Sequence, residues 1–160
     1  MTDEKDMTPA FERRLAPATG RPAPPTASES RHRLDVAVLF TSATATVLAL
    51  RKASMLAERL GARITLLVPQ IVPYPLPLDS PPVLIDFSEK RFREIAEASA
   101  VDTTVQIYLC RDRLETLKAV LAPRSLVVLG GARRWWPTRE KSLARQLRRA
   151  GHEVVFAETE

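Results

Sequence analysis

Five short apolar runs decide what this chain can fold into: "LDVAVLFT" (34–41), "RITLLV" (63–68), "TVQIYLC" (104–110), "SLVVLG" (125–130) and "EVVFA" (153–157). Several are β-branched and apolar almost throughout, without polar residues at every second position. A strand with one wet face must alternate, whereas a strand apolar on both faces needs cover on both, the condition of a parallel sheet between two helical layers. The intervals supply the helices. Residues 44–60 set Ala49, Leu50, Ala53, Leu56, Ala57 and Leu60 on one stripe ahead of a stop at Gly61. Residues 82–98 bring Leu84, Phe87, Phe92 and Ile95 together behind Pro82, which suits a first helical turn. Asp112 and Glu115 match a capping box ahead of Leu114, Leu117 and Leu121, and Pro123 ends that helix. Thr138 caps a fourth, with Leu143, Ala144, Leu147 and Ala150 as its stripe and Gly151 as its stop. Strands alternating with helices predict an α/β sandwich: a parallel sheet of five strands, four helices and right-handed crossovers.

What precedes 34 is different in kind. "MTDEKDMTPAFERRLAPATGRPAPPTASESRHR" holds five prolines, mixed charge and too few apolar residues for a packed face. It cannot offset its ordering entropy, so residues 1–33 are expected to be a disordered tail and 34–160 one domain. A 160-residue chain with 45% hydrophobic content suits a single core. The stretch 68–82, "VPQIVPYPLPLDSPP", has six prolines within fourteen positions and reads as a stiff, extended covering loop, with Tyr74 and Leu76 placed to pack over the sheet end. A PxxP-like docking ligand or a lid over the carboxyl edge are its alternatives.

Charge narrows the function classes. The net charge is +5, but residues 132–151 carry seven basic side chains against Glu140 alone, 1–33 and 34–131 are each near neutral, and 152–160 is acidic. The basic character is one strip, which reads most simply as the solvated face of the fourth helix, with Arg139, Arg145, Arg148 and Arg149 on it. Aromatic residues make up 6% of the chain, too few for stacking platforms spread along a groove, which argues against nucleic acid as the partner. The single cysteine, Cys110, excludes an internal disulfide, and with His32 and His152 it cannot build a zinc site, so no metal is expected. No apolar run approaches the roughly 20 residues of a membrane span, and no export signal core is visible, so the expected location is cytoplasmic.

The segment "RLDVAVLFTSATATVLALRKASMLAERLGARITLLVPQ" resembles the opening of universal stress protein domains, in which a strand, a small-residue turn and a helix ending Leu-Gly-Ala-Arg lead into a Leu-Leu strand. "SLVVLGG" is similar to the family's fourth strand and glycine exit, and "LRRAGHEVVFAE" to its last helix end and final strand. The resemblance covers about 34–160. It implies a five-stranded parallel sheet in the order 3-2-1-4-5, usually in a homodimer, and in one subgroup ATP at the carboxyl ends of strands 1 and 4.

That subgroup's pattern after strand 4 is Gly-x2-Gly-x9-Gly-Ser/Thr, and this chain departs from it. Gly130 fits the first position, the position three residues later is Arg133, and no glycine occurs between Gly131 and Gly151. Glycines admit backbone N–H groups close to phosphate, so the Arg-Arg and Trp-Trp pairs of "GGARRWWPTREK" would crowd such a cradle. The acidic residue that the resemblance implies after strand 1 is also missing, because the turn reads Phe40-Thr41-Ser42-Ala43. The stretch could still hold an anion or nucleotide through Thr41, Gly130, Gly131, Arg133, Arg134 and Thr138 at the helix start, or Gly130 and Gly131 could simply make the turn beside solvated arginines. Trp135 and Trp136 could cover the sheet end and the helix entry, or form a partner surface for a protein or an anionic membrane.

Enzyme readings find little. There is no Gly-x-Ser-x-Gly elbow, G-x-G-x-x-G or Walker loop, and Asp112 after strand 3 lacks the acidic pair that a phosphoacceptor site needs. Cys110 beside Arg111 is expected to be buried and inert. The reading is a non-catalytic universal stress protein-like module without the ATP motif and without a cofactor, acting through protein contacts and dimerising by the edge residues Val154, Val155 and Phe156 of the last strand. The alternative is a small-molecule binder that keeps ATP or another phosphate-bearing ligand at the strand 4 exit.

Overall fold

The alternation of apolar runs and helical stripes is realised as one sheet with helices on both faces. The computed structural model describes residues 12–15, 34–77, 85–97 and 99–159. In chain order the elements are β1 (Glu12–Leu15), β2 (Asp35–Leu39), α1 (Ala43–Leu60), β3 (Arg63–Ile71), α2 (Ile85–Ala96), β4 (Thr103–Cys110), α3 (Arg113–Val120), β5 (Leu126–Ala132), α4 (Arg139–Arg149) and β6 (Glu153–Thr159). The sheet order is β1-β4-β3-β2-β5-β6. The five strands from β2 onward are parallel and, counted from β2, stand in the order 3-2-1-4-5.

The sixth strand corrects one expectation. β1 lies within the segment expected to carry no structure, and it pairs antiparallel with β4, Glu12 opposite Tyr108 and Leu15 opposite Val105. Backbone pairing explains why composition did not reveal it: an edge strand needs a free ladder more than it needs its own apolar face. The rest of the expected tail lies outside the described residues.

The unbroken apolar character of the inner strands is explained by the two cores. Val36, Val38, Ile64, Leu66, Val105, Ile107 and Val128 point to α1 and α2, while Ala37, Leu39, Leu67, Val127 and Leu129 point to α3 and α4. α1 lies close on the sheet because its buried stripe is small: Ala45, Ala49, Ala53 and Ala57. Its ends are set locally. The Ser42 side chain accepts from the Ala45 N–H, and Gly61 closes the helix at φ 62°, a left-handed conformation that glycine adopts without Cβ strain. Asp112 and Thr138 cap α3 and α4 as expected, accepting from the N–H groups of Glu115 (2.9 Å) and Lys141 (3.2 Å).

One boundary and two packing positions differ from expectation. β3 continues through Pro69 to Ile71, where the proline-rich loop was expected, because β2 ends opposite Leu67 and leaves that side of β3 without a partner. A proline there removes no ladder bond. α2 begins at Ile85, the expected start at Pro82 lying outside the described residues. Phe87 is 63% exposed, so Phe92 carries the stripe's contact with the sheet instead. Tyr74 does not pack over the sheet end. It is 74% exposed, with the Arg111 guanidinium 4.1 Å over its ring while Arg111 donates to the carbonyls of Val72 (2.6 Å) and Leu76 (2.7 Å).

Candidate functional site at the carboxyl end of the sheet

The turn after β2 is closed by its own residues. Phe40 donates its N–H to the Leu67 carbonyl and sets its ring edge-on to Phe92, centroids 4.9 Å apart. The Phe40 ring thus packs inward, and the turn Phe40 to Ala43 holds no carboxylate. Thr41 donates its N–H to Thr46 Oγ1 (3.2 Å) and its hydroxyl to the Gly130 carbonyl (2.8 Å), tying the ends of β2 and β5 together.

Gly130 and Gly131 do not make a turn, contrary to the simpler expectation. Both lie inside β5, paired with Ala157 and Glu158 of β6. Their glycine character serves close packing. A Cβ on Gly130 would run into the carbonyl of Ala45 in the first turn of α1, 2.8 Å from its carbon, and a Cβ on Gly131 would lie 2.7 Å from the Phe156 ring and 3.2 Å from Glu140 Cβ.

Beyond the glycines, a cleft of about 400 Å³ opens between the β2–α1 turn, the end of β5 and the start of α4. Thr41, Ser42, Thr44, Thr138 and Thr159 line it with hydroxyls, Arg134 and Arg139 with positive charge, and Glu140 opposes them. Of the residues expected at an anion site, Thr41, Gly131, Arg134 and Thr138 are brought together here. Arg133 is not: its N–H donates to the Thr159 carbonyl and its Nε lies 3.8 Å from Glu158, across β6. Arg139 and Thr159 were missed, and only the hydroxyl-rich "TSAT" of the first turn hinted at the lining.

Trp135, 93% exposed, covers neither the sheet end nor the helix entry, and Trp136, 53% exposed, is half-covered, with the Arg134 guanidinium near its ring. Val154 and Phe156 face the α3–α4 side and Val155 the other, as the alternation predicts, and β6 has a bonded neighbour on one side alone. Its outward carbonyls are met by side chains: Arg148 donates to Val154 (3.1 Å) and Lys52 to Phe156 (3.5 Å). Cations over an edge strand hinder indiscriminate pairing.

Asp112 is occupied as the α3 cap, and Nδ1 of buried His152 accepts from the Ser125 N–H (3.1 Å), fastening the start of β5 to β6. Among the described residues no group of three His, Cys, Asp or Glu side chains is placed to hold a metal. Cys110 is buried, and burial is the main influence that pushes its thiol up; Asp112 adds to the shift, while Thr116 and Arg113 oppose it. The neighbouring Arg111 is spent on the Val72 and Leu76 carbonyls. With its folded pKa above the unfolded one, the thiol stays protonated at neutral pH. Iodoacetamide should therefore label Cys110 at least about tenfold more slowly in the folded protein than after unfolding, and equal rates would contradict this placement.

This architecture is that of universal stress proteins. The structure of the universal stress protein from Archaeoglobus fulgidus in complex with dAMP is similar at a TM-score of 0.51 and 12% identity, over 78% of this chain and 97% of that one. No protein-family model matches the chain, and no curated protein does.

Proposed function

We propose that this chain is a non-catalytic regulatory module of universal stress protein type, of the kind without the ATP motif, which works in the cytoplasm through protein contacts and dimerises by β6. The observation that carries the reading is the fate of Gly130: the first glycine of the would-be phosphate loop is used to admit the Ala45 carbonyl, and the turn after β2, Phe40 to Ala43, carries no acid. What then remains is a scaffold with an apolar edge strand, Val154 to Phe156, whose Arg148 and Lys52 cover swings aside when a second copy pairs with it. One observation favours a second reading. Arg134 and Arg139 face the hydroxyl-lined cleft, so it could hold a phosphate-bearing small molecule there.

Thermal unfolding against a nucleotide panel and light scattering test both. The first reading expects no stabilisation by Mg-ATP or by nucleoside mono- and diphosphates, and a mass about twice 17.8 kDa. A concentration-dependent rise in melting temperature that Arg134→Ala removes would establish the second reading, and a monomer at every concentration would refute dimerisation by β6.

A further inference from the structure

The loop 132–138 answers to neither the core nor the cleft. Its two tryptophans are the only two in the chain, Trp135 almost wholly and Trp136 about half exposed, side by side with centroids 6.4 Å apart and planes tilted by 53°. Burying an indole is among the largest hydrophobic gains open to a side chain, and this chain forgoes it twice in adjacent positions. Ala132 to Pro137 are all exposed. Arg133 and Arg134 precede the rings in the loop, Arg139 follows at the start of α4, all three exposed, and the Arg134 guanidinium lies 5.8 Å from the Trp136 centroid. Lys141 is held to the loop by its bond to the Arg134 carbonyl. Positive charge continues along the outer face of α4 through Arg145, Arg148 and Arg149, about 15 Å of helix. Among the described residues, Glu140 and Glu158 are carboxylates near the loop, and Glu158 faces Arg133.

We propose that this loop docks the protein on an anionic lipid surface, with Trp135 and Trp136 at headgroup level and the flanking arginines on lipid phosphates. Indoles favour that depth because one end is apolar and the N–H stays wet, and arginine forks match phosphate oxygens. Two features favour a lipid surface over an acidic protein. The tryptophans project from an exposed loop and border neither cleft edge described above, whereas protein hot spots seat in well-packed pockets. The cations are also spread along a face instead of gathered around one point, which suits a spread array of phosphates. The apolar stripe of α4, Leu143, Ala144 and Leu147, is spent on the core, and no helix among the described residues is long and apolar enough to cross a membrane. The contact is therefore peripheral, made by two indoles and several charges. It stands apart from the proposed function, since a monomer or a nucleotide binder could dock in the same way.

Tryptophan emission, excited at the red edge where Tyr74 and Tyr108 do not absorb, reports on this loop alone, because both tryptophans lie in it. Full-length protein is mixed with vesicles of equal parts phosphatidylcholine and phosphatidylglycerol, and with pure phosphatidylcholine vesicles, and the emission maximum and the sedimented fraction are read. The expected result is a blue shift and co-sedimentation with the anionic vesicles only, weakened by salt. Partition should fall about tenfold or more in R133Q/R134Q, and be lost in W135A/W136A at an unchanged melting temperature. No blue shift with anionic vesicles, or undiminished sedimentation of W135A/W136A, overturns the proposal. So does a blue shift that grows with protein concentration in the absence of lipid, which would make the loop a protein contact.

Discussion

Gly130→Val is expected to cost about 3 kcal/mol of stability or more, lowering the melting temperature by roughly 10 °C. The first atom added, Cβ, would enter the Ala45 carbonyl, and that carbonyl belongs to the first turn of α1, not to a side chain that can swing away. Relief would require α1 to lift from β5, which would unseat the alanine stripe at Ala49, Ala53 and Ala57. Gly131→Ala is the informative contrast. Its Cβ would meet the tip of the Phe156 ring, a half-buried side chain free to rotate, so about 1 kcal/mol is expected. Denaturant unfolding of the two variants checks the difference. Equal, small effects would mean that α1 does not lie against Gly130, and the argument against a phosphate cradle would fall with it.

Leu66→Ala should cost about 4 kcal/mol, near the top of the range for deleting a buried leucine. Leu66 is fully buried in β3, between Val38 of β2 and Val105 of β4 on the face that α1 covers. Both neighbours are β-branched and stiff at χ1, and both are held by parallel ladders, so the cavity cannot collapse. Leu60→Ala, at an exposed position at the end of α1, should change stability by less than about 1 kcal/mol. A similar loss at both sites, measured by the midpoint of urea unfolding, would place the core elsewhere.

Residues whose structure depends on near neighbours were legible in advance. Ser42 was not foreseen as a cap, but Asp112 and Thr138 were, and Gly61 was read as a stop, because capping and left-handed closure are decided within one helical turn. The apolar runs of β2, β3 and β5 announced cover on both faces, since a continuous apolar strand can be satisfied in no other way. The strand order came with the resemblance to universal stress proteins and is the order found. The candidate site was less legible: Thr41, Gly131, Arg134 and Thr138 share a cleft, while Arg133, adjacent in sequence, turns away to Glu158.

The sequence by itself determined the class of this protein, through periodicities of two and 3.6 and through caps, all of which act over a few residues. Tertiary structure alone decided the rest. Thr41 meets the Gly130 carbonyl across 89 residues, and it is the approach of α1 to β5 that leaves no room for a side chain at Gly130. β1 forms because β4 has an open ladder, and Pro69 is tolerated because β2 stops beside Leu67. Trp135 and about half of Trp136 stay in water because β5, β6 and α4 already complete the core without them. Which groups are left over is a property of the packed whole, and no local pattern of residues encodes it.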